Sequence, residues 1–465
     1  MISPARIAAF DILTAVSAGN ADLPTAIAFA RSNLRDDRDR ALAAEIASGV
    51  QRWRAALDHL IVEFSKRAIS RLDPEIVEIL RLSAYQLLHL TRVPASAVVD
   101  DAVNLAGRAG KRSASGFVNA VLRTISRRRD SLPLPPRPHD PGDRAAVLDY
   151  LSVTLSHPRW LAARWLDRFG FEAAEAWLQF NNAPGAVTLR ANRLQLTPQQ
   201  LVARLADEGV KAHLATYAVD GLIVDEGYPL RGRGLEEGWF VAQDEASQLV
   251  AMLAGEHVSG SVLDACASPG GKTTALAAAM AGQGLLVACD VRERRIDLLR
   301  RTVAASRASN VRIVQADLLK PLPFRAAFAC VLVDAPCSGL GTLRRDPDIK
   351  WRRQEEEIPA LAAGQLQMLR NAAAAVAPGG RLIYTTCSSE PEENDQVVDE
   401  FLANPAGLEA RPALSPGAFE QVDLRGAIPA LEPVLDGQGL LRTSPSQHGL
   451  EAFFGAVLRR RSPVR

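Results

Sequence analysis

The sequence predicts a multidomain chain: an all-α N-terminal domain, a small α+β segment and a C-terminal, Rossmann-like α/β domain. Three observations carry this. Apolar residues recur at helical spacing as far as residue 130, a proline-rich break follows, and from residue 241 short apolar strands alternate with helices. The 465 residues suit two to four domains at roughly 100–200 residues each.

Within residues 1–130, Ile7, Phe10, Ile12, Leu13 and Val16 mark one helix. Ile76, Ile79, Leu80, Leu82, Tyr85, Leu87 and Leu88 mark another. Asp73-Pro74-Glu75 reads as the start of the second, with Asp73 as N-cap and proline at the first helical position, where a missing N–H costs nothing. This segment holds 19 Lys+Arg against 14 Asp+Glu. Its basic residues bunch at Arg123, Arg127, Arg128 and Arg129. They read either as a solvated helix end favoured by the helix dipole or as an RNA contact.

Residues 131–149 read as a stiff linker, because the four prolines between Pro133 and Pro138 cannot continue a helix. Residues 150–240 read as the α+β segment. Val187 to Arg193 alternates as a strand, Thr197 to Glu208 is helical behind a Thr-Pro start, and 211–215 and 221–224 are two more short strands. The βαββ order is compatible with a sheet of the RNA-recognition (RRM-like) type. The aromatic strand motif that stacks bases is missing, however, so a packing role is equally open. Residues 241–465 form the last predicted domain. Strands at 261–265, 285–289, 311–314, 330–334 and 380–385, most separated by helices, predict a doubly wound, mostly parallel sheet.

Composition narrows the functional classes. Hydrophobic residues make up 48% and charged residues 23%, the balance of a folded globular chain. No apolar run reaches the roughly 18 residues of a membrane span, and the N-terminus lacks a signal-peptide pattern. A soluble cytoplasmic protein is expected. The net charge of +1 argues against a cationic nucleic-acid coat but not against a local basic patch. Only six of the 54 basic residues are lysines, so each lysine stands out against an arginine-rich background. The five cysteines, Cys266, Cys289, Cys330, Cys337 and Cys387, form no C-x-x-C pair, and no histidine lies near one at zinc-ligand spacing. Reduced thiols and no metal are expected.

Chemistry concentrates in the α/β domain. Ser261 to Asp264 reads as a buried strand, and Cys266-Ala267-Ser268-Pro269-Gly270-Gly271-Lys272 as a glycine turn opening a helix. Paired glycines let a ligand approach the backbone, and the helix N-terminus favours negative charge. Gly271-Lys272-Thr273 mimics the end of a phosphate-binding loop, but Cys266 stands where that loop needs glycine, so nucleoside triphosphate binding is rejected. Asp290 and Asp317 close the next two strands, where carboxylates can take ribose or base hydrogen bonds. Alone, each is more often a loop or cap residue; together beside a glycine turn they favour a nucleoside-containing cofactor. S-adenosylmethionine fits better than NAD, because G-x-G-x-x-G is absent.

Two further motifs are more specific. Asp334-Ala335-Pro336-Cys337-Ser338-Gly339 leads into Arg344-Arg345-Asp346-Pro347-Asp348-Ile349-Lys350-Trp351, and Tyr384-Thr385-Thr386-Cys387-Ser388-Ser389 precedes Glu390-Pro391-Glu392-Glu393-Asn394. Ser389 and Glu392 have capping-box spacing for a following helix. Cys337 and Cys387 both fall at carboxyl ends of strands, where open α/β sheets place their sites. Cys289 and Cys330 read as inert core thiols, and Cys266 as a backbone contributor.

With these motifs the chain resembles the RNA 5-methylcytosine methyltransferases, of the Sun/Fmu (RsmB) type that modifies small-subunit (16S) ribosomal RNA. Residues 1–130 resemble a NusB-like RNA-binding domain, through Leu80-Arg81-Leu82, Val93-Pro94 and Gly116 to Arg123. Ser156 to Leu161 and Gln243-Asp244-Glu245-Ala246-Ser247 are also similar to family segments. Such chemistry needs a thiolate added at carbon-6 of cytosine, with a proton supplied at N3, to make carbon-5 nucleophilic. Sequence alone does not say which cysteine attacks. The resemblance implies that Cys387 attacks, that Cys337 assists release, and that Asp334 holds the cytosine edge and donates the proton, which requires a raised carboxyl pKa. It further implies that Cys266 to Lys272, with Asp334, wrap the methionine and ribose end of S-adenosylmethionine. Asp290 would take the ribose and Asp317 the adenine amine.

The tail departs from the family, with Leu450-Glu451-Ala452 where relatives commonly read Thr-Asp-Gly, which puts any contact of that loop in doubt. Phe453 and Phe454 read as core, and His448 as a local loop partner. The expected partner is ribosomal RNA, met by a monomer without membrane or metal. The alternatives are the same chemistry on tRNA, or a non-catalytic NusB-like antitermination factor. The retained cysteine pair speaks against the second.

Overall fold

In the computed structural model, residues 2–255, 259–324, 327–406 and 414–462 are described. They pack as two compact units, Met1–Pro184 with Leu343–Glu355, and Gly185–Thr342 with Glu356–Arg465.

The first unit is helical. Its elements are α1 (Pro4–Ser17), α2 (Leu23–Asn33), α3 (Asp37–Ser65), α4 (Pro74–His89), α5 (Ala95–Arg108), α6 (Ser115–Arg127), α7 (Arg144–Asp149), α8 (Arg159–Phe169) and α9 (Phe171–Asn182). The periodic residues Phe10, Leu13, Ile79, Leu80 and Leu82 do face one core, shared with Leu57, Leu105 and Leu122. Each such leucine adds roughly 1.5–3 kcal/mol of burial. Pro74 opens α4 and Asp73 stands at the cap, yet the Asp73 side chain makes no cap bond. Its carboxylate instead lies 3.2 Å from Lys111 Nζ.

The proline stretch packs on this unit rather than linking units. Thr154 Oγ1 donates to Pro135 O at 2.6 Å, Arg137 is bonded to Glu175, and α7 already begins at Arg144. Prolines stop a helix but leave carbonyls free to accept hydrogen bonds, which is why a break in helix is not a break in packing.

The second unit holds two sheets. In chain order its elements begin with β1 (Thr188–Ala191), α10 (Pro198–Asp207), β2 (Lys211–Leu214), β3 (Gly221–Glu226), the single turn α11 (Arg233–Glu236) and β4 (Phe240–Ala242). These strands pair antiparallel in the order β2-β3-β1-β4. Thr197 and Gln200 form a full capping box at the start of α10. The strand β4 is new relative to the sequence reading. At three residues, it is too short for alternation to announce it.

There follow α12 (Glu245–Met252), β5 (Ser261–Asp264), α13 (Gly271–Ala279), β6 (Leu285–Asp290), α14 (Glu293–Ser306), β7 (Val311–Gln315) and β8 (Phe328–Asp334). The turn α15 (Ile349–Arg352) lies in the helical unit. Back in the second unit come α16 (Ile358–Ala373), β9 (Val376–Thr386), α17 (Asp395–Ala403), β10 (Phe419–Gln421), β11 (Leu441–Arg442), α18 (Pro445–His448) and β12 (Phe454–Arg460). The main sheet runs β10-β12-β9-β8-β5-β6-β7. β9, β8, β5, β6 and β7 are parallel, so the doubly wound reading holds for them. β12 pairs antiparallel with β9 and, with β10 and β11, makes the sheet mixed at that edge.

Two boundaries differ from the sequence expectation. The helical unit runs to Pro184, and residues 343–355, expected within the α/β domain, fold with the helices. Lys350 is wholly buried there and donates to Arg52 O at 2.9 Å, Trp351 Nε1 donates to Gln51 O at 2.6 Å, and Asp348 accepts from Leu23 N at 3.1 Å.

Candidate active site

The site forms where the strand order reverses. β5 lies between β6 and β8, so the connections leaving its carboxyl end and that of β8 diverge and open a crevice, as open α/β sheets require. Gly270, with φ of 105°, occupies the left-handed region at the cap of α13. A Cβ there would also meet Leu299 and Thr302 at 3.0 Å. Glycine is needed on both counts.

A cavity of about 260 Å³ opens over this turn. Cys266, Ala267, Ser268, Pro269, Gly271, Lys272 and Asp334 line it, all expected at the cofactor end. Gln243, Ser247 and Thr302 line it as well. The first two sit in a segment whose family likeness was visible without any role attached; α14 brings Thr302 in, and only the tertiary fold could show that.

Asp290 and Asp317 are not in that lining. Asp290 Oδ2 accepts from Ser268 N at 3.1 Å and Oδ1 from Val291 N at 2.8 Å, so it braces the turn from beneath. Asp317 Oδ1 accepts from Leu319 N at 3.0 Å and caps its own loop. Beneath β5's end lies Asp264, fully buried, with Oδ2 accepting from Thr273 Oγ1 at 2.7 Å. Burial pushes its pKa up to about 7, with the Asp334 charge adding to the rise and the Thr273 hydrogen bond and Lys272 opposing it.

The groups expected to react converge next to this cavity. Lys272 Nζ donates to Asp334 Oδ2 at 2.7 Å, and Thr385 Oγ1 donates to Asp334 Oδ1 at 3.0 Å. Burial works against the Lys272 charge, but Asp334, with smaller help from Cys387, outweighs it and raises the lysine pKa. The two thiols stand 3.1 Å apart. Register explains this: β8 and β9 are parallel neighbours with Asp334 opposite Thr385, and each cysteine lies two or three residues farther along. The hydrogen bond with Cys387 and then burial push the Cys337 thiol well up, so Cys337 keeps its proton. Cys289 and Cys330 are fully buried in the sheet, as inert core thiols should be.

The tail closes the back of the site. Ala452 N donates to Gly341 O at 3.0 Å, and Gly341 N donates to Cys387 O at 3.0 Å. Phe453 and Phe454 are buried, and His448 Nδ1 accepts from Ser444 N at 3.1 Å, a local bond. Ser389 does not stand at the cap of the following helix, whose cap is Asn394. The helix there starts at Asp395, and Ser389 Oγ donates to Glu390 at 2.7 Å.

Three family models match: 16S rRNA methyltransferase RsmB/F over residues 250–459, the NusB family over 3–127, and an RsmF/B-like ferredoxin-like domain over 157–231. The ribosomal RNA small subunit methyltransferase B of Pseudomonas putida is 36% identical over 405 residues, covering 86% of this chain and 89% of that protein. The chain belongs to the RsmB/F methyltransferase family. The probable small subunit methyltransferase B of Bacillus subtilis is 31% identical over 436 residues, covering 93% of each chain. The crystal structure of PH0851 matches the whole RsmB/F fold, with a TM-score of 0.79 over 99% of both chains at 24% identity. As a methyltransferase, the chain uses a methyl donor. No helix among the described residues is long and apolar enough to cross a membrane, and no group of three or more His, Cys, Asp or Glu among them could hold a metal ion.

Proposed function

We propose that this chain methylates carbon-5 of a cytosine in small-subunit ribosomal RNA, using S-adenosylmethionine and a covalent cysteine adduct. The observation that carries the chemistry is the pair of thiols 3.1 Å apart, next to the Lys272–Asp334 pair at the carboxyl end of a parallel sheet. The small subunit methyltransferases B that this chain matches over most of its length support the RNA target.

The donor set suits S-adenosylmethionine. Lys272 and the N-terminus of α13 offer positive charge for its carboxylate, and Cys266 to Pro269 line the cavity beside them. When bound, that molecule supplies an electrophilic methyl group to carbon-5. Asp290, at the carboxyl end of β6, and Asp317, just beyond β7, are the carboxylates this reading assigns to the ribose and to the adenine amine.

Cys387 Sγ adds to carbon-6 of the cytosine, and its electron pair pushes density onto carbon-5. The Lys272–Asp334 pair, which holds a proton between a nitrogen and an oxygen, supports the pyrimidine edge and supplies the proton at N3. A base then takes the carbon-5 proton, the carbon-5–carbon-6 double bond re-forms and Cys387 leaves carbon-6 as a thiolate; Cys337 assists this release. Labelled S-adenosylmethionine with undermodified small-subunit RNA should yield 5-methylcytosine. Transfer to another base, or to no RNA, would sink the reading; transfer only to tRNA would move the target.

A further inference from the structure

One buried carboxylate outside the proposed reacting groups touches both cysteine loops. Glu393 is 0% exposed. Its Oε1 accepts from Ser338 N at 2.8 Å and from Gln365 Nε2 at 2.8 Å. Its Oε2 accepts from the hydroxyls of Ser338, at 2.5 Å, and of Ser388. Ser338 directly follows Cys337, and Ser388 directly follows Cys387. The second amide hydrogen of Gln365 goes to Pro336 O at 3.1 Å, just before Cys337. Tyr384 OH, three residues before Cys387, donates to Glu393 O at 2.6 Å.

Burying a carboxylate costs several kcal/mol unless its lone pairs are filled. Here four donors fill them, and three come from the two residues that follow the thiols. Parallel pairing of β8 and β9 ends at Asp334 and Thr385, so strand hydrogen bonds no longer hold the loops beyond. Register brings the two cysteines close, and beyond it the loops are joined by the Gly341 N to Cys387 O bond and by the contacts of Glu393. We propose that Glu393 is a positioning residue that clamps these two turns and so sets Cys337 and Cys387 at reacting distance. The inference rests on the two-thiol reaction proposed above, but its geometric core can be read without any RNA.

Diamide, an azo oxidant, takes two electrons and two protons from a close thiol pair, leaving a disulfide and the corresponding hydrazine. Peptide mapping of the full-length protein then gives the rate of Cys337–Cys387 cross-linking. Glu393→Ala should slow it about tenfold and lower kcat about 100-fold, with KM for RNA kept within about threefold. Glu393→Gln keeps an acceptor for Ser338 N and Gln365, and should restore most of both. A cross-linking rate and kcat in Glu393→Ala within about threefold of wild type would overturn the proposal. If Glu393→Ala does not fold, Ser338→Ala with Ser388→Ala removes two of the four donors and should show the same two losses; wild-type behaviour of that pair would equally overturn it. Absence of methylation by the unmodified protein would refute the proposed function, while the cross-linking rates would still decide this inference.

Discussion

Cys337 and Cys387 differ in what surrounds them, and that difference supports the tasks we propose for them. Cys337 keeps its proton, held by its bond with Cys387 and by burial, whereas Cys387 acts on the Lys272 charge. Cys387→Ala should therefore abolish methyl transfer and the covalent adduct, while Cys337→Ala should accumulate a protein–RNA complex stable on a denaturing gel. The reverse pattern would exchange their roles. Asp264 titrates near 7 in the folded chain against about 4 in an unfolded one. A carboxyl with a raised folded pKa contributes its stability below the unfolded pKa and loses it as pH rises through the folded pKa. Between pH 4 and 7 the protein should lose stability relative to Asp264→Asn, by an amount on the order of 4 kcal/mol, measured by urea unfolding.

At the level of elements, α6 ends in an exposed basic cluster of Arg123, Arg127, Arg128 and Arg129. Among the described residues, Arg123 and Arg127 bond only within their own helix, to Asn119 and Thr124, which leaves their charge available to phosphate. Replacing all four with Ala should weaken RNA binding and flatten its salt dependence by roughly three to four charges, leaving S-adenosylmethionine binding unchanged. Equal salt slopes in filter binding would return the cluster to a mere solvated helix end. The loop between β8 and α15 makes the opposite demand. A Cβ on Gly341 would fall 2.1 Å from Ala452 O and 2.8 Å from Cys387 O. Gly341→Ala must displace backbone that borders both the thiol and the tail, so it should lower activity by about 100-fold while thermal unfolding shifts only modestly.

For the whole molecule, residues 343–355 matter most. They continue the strand and loop that carry Asp334 and Cys337, yet fold into the helical unit, where Lys350 is buried with its pKa driven well down, first by burial and then by Arg52. A lysine depressed in the fold contributes stability at high pH and loses it as pH falls, because the unfolded chain takes the proton. The helical unit of the wild type should thus become less stable from pH 10 toward neutrality, and Lys350→Met should flatten that trend while losing the bond to Arg52 O; parallel pH profiles by urea unfolding would count against it. Truncation at residue 130 would also cut through a unit that continues to Pro184, so the helical unit is better tested by substitution than by deletion.

Local rules made much of this legible in the chain itself. The helix period, the Thr-Pro and Asp-Pro starts, the apolar strands and the glycine turn are each fixed by interactions within a few residues, and the D-A-P-C-S-G and T-C motifs hold, in their residue types, the groups of the proposed chemistry. The sequence by itself thus determined the three kinds of fold, and it supplied the cysteine pair and the glycine turn on which the proposed chemistry rests. Tertiary structure alone decided where Asp290, Asp317 and Thr302 stand, that residues 343–355 leave their sheet for the helices, and that Glu393 reaches both cysteine loops. The reason is physical: a strand or cap is written in short-range periodicity, but a carboxylate gathering donors from residues 338, 365 and 388 depends on strand register and packing between distant segments, and no local pattern encodes that distance.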